Sequence, residues 1–192
     1  MADVTADVTA PLDASRLAFR RLCLGDLPLL HQWLSSGPPR QWFARRDMGY
    51  HEVVEHYRPY IAGGLPTHAF LALYDDHPVA YLQYYLIRDY PEYSRQIRVC
   101  PCSAGLDLFI GDQDYLHRGL GAPMLRRFMA EVVFVETEAD CCHVGPDETN
   151  VAAIRCYERA GFAFVKRVQV AGELHAEHLM CMERSALLGA DG

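Results

Sequence analysis

Two hydrophobic rhythms alternate along this chain. "RLAFRRLC" (residues 16–23) alternates with period two and predicts a strand. "GDLPLLHQWLSS" switches to helical spacing, with Asp26 as an N-cap type and Pro28 just inside the helix. "SGPPRQW" interrupts the pattern and predicts a loop. "YHEVVEHYRPYIAGG" predicts a second helix, closed by Gly63-Gly64 or cut short at Pro59. "THAFLALYDDHPVAYLQYYLIRDY" returns to strand patterning and predicts a hairpin turning at "DDH". "YPEYSRQIRVCPCS" is polar and patternless, and predicts an irregular insertion. "AGLDLFIGD" predicts a further strand. After Gly119, Leu120, Met124, Leu125, Phe128, Val132 and Val133 share one helical face, opposite Arg126, Arg127 and Glu131. A short strand "ADCCHVG", a helix over about 149–160 and two closing strands near "FAFVKRVQV" and "AEHLMCMER" complete the order β-α-α-β-β-β-α-β-α-β-β. That order predicts an α/β fold, a mixed sheet with helices on its faces.

Composition narrows the class. A chain of 192 residues, 51% of them hydrophobic, favours one domain with a substantial core. No apolar run reaches the ~20 residues of a membrane span. The start, "MADVTADVTAPLDAS", carries neither the basic nor the apolar region of a secretion signal and predicts a disordered tail over residues 1–14. Residues 15–186 are expected to form the domain, and 187–192 a flexible C-terminal tail. The net charge of −7 argues against nucleic-acid and anionic-membrane partners and suits a cationic substrate. Seven cysteines, an odd number, fit reduced thiols in a cytoplasmic protein. Neither Cys100-Pro-Cys102 nor Cys141-Cys142 has zinc-finger or zinc-ribbon spacing, so no metal site is expected.

The stretch "DYLHRGLGAPMLRRFM" has two readings. Glycines at a strand–helix corner can simply make the turn. The same parts also form an anion site. The first helical N–H groups lack intrahelical partners, the helix dipole is positive there, and Gly119 and Gly121 let a ligand approach the backbone. His117 and Arg118 would add side-chain donors. The spacing is neither that of a Walker A loop nor that of a dinucleotide fingerprint.

Asp107 interrupts the apolar strand before it, on the face opposite Leu106, Leu108 and Ile110. It is either a buried structural ion pair or a carboxylate aimed into a pocket. Downstream, "GPDETNVAAIRCYERAGF" supplies cap residues and Tyr157, which on its helical face reads first as a half-buried core tyrosine.

Taken in order, "GLDLFIGDQDYLHRGLGAPML", "GPDETN" and "AAIRCYERAGF" resemble the GNAT superfamily of N-acetyltransferases. "LHRGLGA" is similar to the family's pyrophosphate loop, Q/R-x-x-G-x-G/A, with Leu116 departing at its first position. The resemblance extends over most of residues 16–184 and is closer to the aminoglycoside 6'-N-acetyltransferases; residues 89–103 match poorly. It implies a GNAT fold with a mixed, mostly antiparallel sheet of six to seven strands, splayed at an acetyl-CoA site, and about four helices. It further implies that acetyl-CoA is held by backbone groups of Leu108, Phe109 and Ile110, by the loop His117, Arg118, Gly119, Leu120, Gly121 and Ala122, and by Asn150. Tyr157 would stand near the thioester sulfur, and Asp107 near the amine.

The chemistry suits these residue types. A phenol of pKa about 10 is protonated at neutral pH and can donate to a leaving thiolate. An aspartate of pKa about 3.9 better orients an ammonium than deprotonates it, unless burial raises its pKa. A polycationic amino sugar calls for carboxylates and flat rings. Trp42 is a candidate, as are Tyr81, Gln83 and Tyr85, which alternate on one face of a strand beside that of Asp107. For the two tyrosines, ordinary strand packing is the competing reading. Asp89, Glu92, Asp147 and Glu177 are weaker candidates, expected on a solvated surface. The expected partner is a small cationic amine, an aminoglycoside, acting on a monomer or homodimer. Two other readings are an acyltransferase for another amine (a lysine-type siderophore precursor, a polyamine or a protein N-terminus) and a non-catalytic acyl-CoA-binding module.

Overall fold

A computed structural model describes residues 12–44 and 46–188. Its centre is a seven-stranded sheet in the order β1-β2-β3-β4-β5-β7-β6. The strands are β1 (Leu17–Arg21), β2 (Thr67–Tyr74), β3 (His77–Leu86), β4 (Ala104–Ile110), β5 (Cys141–Val144), β6 (Ala163–Val168) and β7 (Glu177–Glu183). Every neighbouring pair is antiparallel except β4–β5. The β2–β3 turn falls at Asp75-Asp76, both with positive φ, the conformation that matches the twist of a tight hairpin.

The parallel β4–β5 pair holds register over only two positions, Ala104 with Cys142 and Gly105 with His143. Beyond them β4 continues to Ile110 while β5 ends at Val144. The sheet therefore splits on the β5 side of β4. Gly111 N–H donates to Val79 O on β3, so by strand alternation the N–H groups of Leu108 and Ile110 point the other way, into the split. Phe109 is in register with Tyr81 and turns its backbone toward β3.

The helices expected from the periodicity are α1 (Leu27–Leu34), α3 (Tyr50–Ile61), α5 (Gly121–Phe128) and α7 (Val151–Ala160). α5 runs on through a wider turn at Met129–Val133 into α6 (Phe134–Glu136). Its apolar stripe lies on the main core with Leu82, Leu106, Cys142 and Met180 of the sheet. α1 and α3 cover the opposite face, where Leu27, Leu30 and Trp33 pack with Tyr57, Tyr81 and Phe109. Each such large apolar side chain contributes about 1.5–3 kcal/mol on full burial.

Several local expectations are corrected. "SGPPRQW" is helical: Gly37–Pro39 form a short turn, α2, followed by a wider turn over Arg40–Ala44. Prolines in a first turn forgo only N–H bonds that a helix start does not use, so they read as a loop yet permit a helix. The supposed irregular insertion contains α4 (Pro91–Ile97), anchored by fully buried Ile97. Pro59 does not end α3; its missing N–H leaves unpaired only the carbonyl of exposed Glu55, which water can reach. Asp26 stands before α1 but does not cap it. Its carboxylate accepts both terminal nitrogens of Arg20 at 2.7 Å and the Cys23 N–H at 2.9 Å.

Residues 1–11 and 189–192 of the expected tails lie outside the described residues. Leu12 and Ala14 pack on the main core, and Asp13 N–H donates to the Tyr74 hydroxyl at 3.1 Å. At the other end Leu187, in α8 (Arg184–Leu188), is buried.

Candidate active site

The split opens into a cavity of about 820 Å³, a size usual for small-molecule sites. One wall is the start of α5. Met124 N–H makes its first backbone bond, to Leu120 O at 3.0 Å. Pro123 has no N–H, so those of Gly121 and Ala122 are left open at the positive end of the helix dipole. His117 and Gly119 both have positive φ (59° and 77°) in the loop before it. His117, Gly119, Leu120, Gly121 and Ala122 all line the cavity, as do Leu108, Phe109, Ile110 and Asn150.

Arg118 is the exception in this loop. It is not among the cavity-lining residues; its guanidinium lies 6.0 Å from the Tyr115 ring centroid. Its guanidinium faces Asp114 O and the Tyr115 ring instead of the cavity. Gly121 has a packing role besides lining the cavity. A Cβ there would sit 2.6 Å from Cys156 Sγ, so this glycine lets α5 approach α7. The Asn150 side chain accepts Ala153 N–H at 3.1 Å and caps α7.

Asp107 stands where this cavity meets a smaller one of about 200 Å³, and lines both. Gln83, its partner across β3–β4, donates Nε2–H to Asp107 Oδ2 at 2.9 Å. Burial raises the Asp107 pKa above the usual aspartate value, and the Gln83 bond offsets part of the rise. The structure therefore selects the pocket-facing reading over the buried ion pair; among the described residues no cation pairs with Asp107.

Tyr157 lines the large cavity and packs edge-on against Phe162, 5.6 Å between centroids. Among the described residues its hydroxyl is committed to no hydrogen bond. Burial pushes its pKa far above 10, and the Asp107 charge pushes it further, so the phenol holds its proton.

Of the expected substrate contacts, Trp42 lines the large cavity from the turn after α2, and Gln83 and Tyr85 line the small one. Tyr81 does not. It is fully buried between Phe43, Tyr57 and Phe109, and its hydroxyl donates to Gln83 Oε1 at 2.6 Å. Its hydrogen-bond link to Asp107 runs through Gln83.

Asp147 and Glu177, expected on a solvated surface, reach the large cavity, and Glu173 joins them. Asp147 is held by Thr149 and by His175 Nδ1 at 2.9 Å; burial raises its pKa, but those bonds outweigh it and keep the carboxyl low. Asp89 and Glu92 are exposed and line neither cavity. Sequence reasoning missed Tyr60, Tyr90 and Tyr93, which line the small cavity from α3 and from the segment around α4. The repeated tyrosine in "DYPEY" was the available signal. Tyr93 donates to Glu177 Oε2 at 2.8 Å.

Leu108 and Ile110, the start of α5, Asp107 and Tyr157 thus meet on the walls of one cavity at the split. The chain belongs to the GNAT acetyltransferase family: a model described as "Acetyltransferase (GNAT) domain" matches residues 23–170. Among individual proteins, it is similar to the aminoglycoside N(6')-acetyltransferase type 1 of Klebsiella pneumoniae, 28% identical over 141 residues, 71% of this chain and 69% of that protein. In structure it is similar to the aminoglycoside acetyltransferase AAC(6')-Ib solved with coenzyme A and kanamycin, with a TM-score of 0.80 and 25% identity over 92% of this chain and 99% of that one. The fold is shared more widely: a spermidine N-acetyltransferase from Vibrio cholerae superposes with a TM-score of 0.71 at 17% identity, over 91% of this chain and 99% of that one.

Proposed function

We propose that this chain transfers an acetyl group from acetyl-CoA to the 6'-amine of an aminoglycoside, the reaction that inactivates such antibiotics. The observation that carries this reading is Asp107, half-buried at the junction of two cavities and joined on the walls of the larger by Asp147, Glu173 and Glu177. Four carboxylates around one cavity suit a substrate with several ammonium groups. The structural neighbours solved with coenzyme A and with aminoglycosides support the same reading.

The residues present fit acetyl-CoA. The open N–H groups of Gly121 and Ala122, with the left-handed turns at His117 and Gly119 before them, suit its pyrophosphate. The strand amides of Leu108 and Ile110 suit its amide-bearing arm, and Asn150 stands within reach of the same arm. When bound, acetyl-CoA supplies an acetyl group activated as a thioester. Asp107 holds the substrate ammonium, and its raised pKa brings it closer to a working proton acceptor than a solvated aspartate. The amine, freed of that proton, is left as the nucleophile. A strand N–H facing the split stabilises the carbonyl oxygen as it gains charge. Tyr157, uncommitted and protonated, would donate to the sulfur as it departs and recover a proton from the nitrogen as the amide forms, so that no tyrosinate is left in the buried site. Trp42 and Tyr85 give flat surfaces against which a sugar ring can lie.

The test is thiol release from acetyl-CoA with a panel of aminoglycosides including kanamycin and tobramycin, with lysine and polyamines as controls. Release with aminoglycosides well above the controls is the expected result. Release with lysine or spermidine alone would move the reading to another amine, and none with any amine would leave only a binding module.

A further inference from the structure

On the β5 side of the sheet a second group of chemically active side chains meets. β5 and β7 are antiparallel, with His143 opposite Cys181. Alternation puts Cys141 and His143 on one face of β5, and the register puts Cys181 on the same face of β7. One ligand atom from each, two Sγ and a ring nitrogen, lie within 4.8 Å of one another. None of the three lines either cavity of the active site. Cys142, between the first two, points the other way into the main core.

His143 is the second observation. It is only 6% exposed, and its Nδ1 is buried with no hydrogen-bond partner among the described residues. Leaving a buried polar nitrogen unpaired costs about 1–3 kcal/mol. An imidazole enclosed in this way beside two thiols matches what a metal ligand needs.

We propose that Cys141, His143 and Cys181 form a binding site for a thiophilic transition-metal cation of the Zn²⁺ class. Two sulfurs and an imidazole nitrogen are the donor set such ions prefer. Zn–S and Zn–N bonds of about 2.3 and 2.0 Å set tetrahedral donors roughly 3.5–3.8 Å apart. Drawing the three donors together from 4.8 Å or less is within the reach of cysteine rotations. The two thiols release their protons to solvent on binding, and no electron is transferred. A divalent ion with two thiolates and a neutral imidazole is uncharged overall, which suits a half-buried position. Three protein ligands leave a fourth position, on the side where Cys141 and Cys181 are partly exposed, for water or a small ligand. The linear spacing of Cys141-Cys142 hides this group, because strand pairing rather than chain proximity assembles it.

The test is titration of the reduced full chain with Co²⁺ and then Zn²⁺. One equivalent of Co²⁺ should give a thiolate-to-cobalt charge-transfer band that Zn²⁺ abolishes. The band should vanish in a Cys141→Ser/Cys181→Ser variant and persist in Cys100→Ser/Cys102→Ser, whose cysteines are exposed. X-ray absorption of the zinc-loaded wild type should show two sulfur ligands and one imidazole, a reading that needs no variant to fold. No band at one equivalent, a band that survives loss of Cys141 and Cys181, or a zinc shell without sulfur would each overturn the proposal.

Discussion

Gln83 joins two residues that never meet: its amide N–H donates to Asp107 at 2.9 Å, and its carbonyl accepts the Tyr81 hydroxyl at 2.6 Å. The carboxylate, which only accepts, fixes which end of the amide faces it, and the Tyr81 hydroxyl, able to donate, serves the other end. A bond to a charged group contributes about 1.5–3 kcal/mol, and about 1.4 kcal/mol is tenfold in rate. Gln83→Leu is therefore expected to lower kcat by roughly tenfold or more with little change in acetyl-CoA affinity. Because the bond lowers the Asp107 pKa, its loss moves the acid limb of the rate profile to higher pH. A pH–rate series on both proteins checks the direction.

Asp107→Asn should cut turnover by about 10²–10⁴-fold if the carboxylate takes the proton. It should also make the protein more stable at neutral pH. The folded-state pKa is raised above the unfolded value, so wild-type stability falls as pH rises from the ordinary aspartate range through the folded pKa. Asparagine escapes that loss. Melting temperatures across pH should show the variant ahead at pH 7, with the gap closing below about pH 4.

Tyr157→Phe leaves the ring packing against Phe162 and removes only the hydroxyl. The expected result is a fall in kcat of about tenfold or more, with the acetyl-CoA dissociation constant nearly unchanged. An unchanged kcat would remove Tyr157 from proton delivery and return it to the core.

Gly121→Ala brings a methyl group to 2.6 Å from Cys156 Sγ, so either that thiol leaves its rotamer or α5 moves off α7. A loss of about 1–3 kcal/mol is expected. Cys156→Ala in the same chain should recover most of it, since the clash is with that sulfur alone. Thermal melts of the two single variants and the double variant form the cycle that tests this.

Where the reading of the sequence succeeded, one local pattern sufficed. Period two set Gln83 and Tyr85 on one face of their strand and Asp107 opposite Leu106, Leu108 and Ile110 on the next, and helical spacing set Met124, Leu125 and Phe128 on one stripe. It failed where position depends on remote segments. Tyr60, Tyr90 and Tyr93 come from separate elements and meet only once α3 and α4 dock on the sheet. Tyr81 follows the same alternation as Gln83, yet Phe43, Tyr57 and Phe109 close over it, and no local pattern reports what covers a strand. Arg118 was assigned by its charge, while its direction depends on the loop backbone between two left-handed residues.

The brevity of the β4–β5 register has a mechanical consequence. With only Ala104–Cys142 and Gly105–His143 joining them, the four strands before the split and the three after it are two panels stitched at one end, with the α5 stripe packed beneath both. An elongated molecule lodged in the gap takes the place of missing rungs and acts as a splint across the seam. Amide exchange should then slow along the facing edges of both panels when acetyl-CoA is added, while the β1–β2 pair at the far edge keeps its own pace.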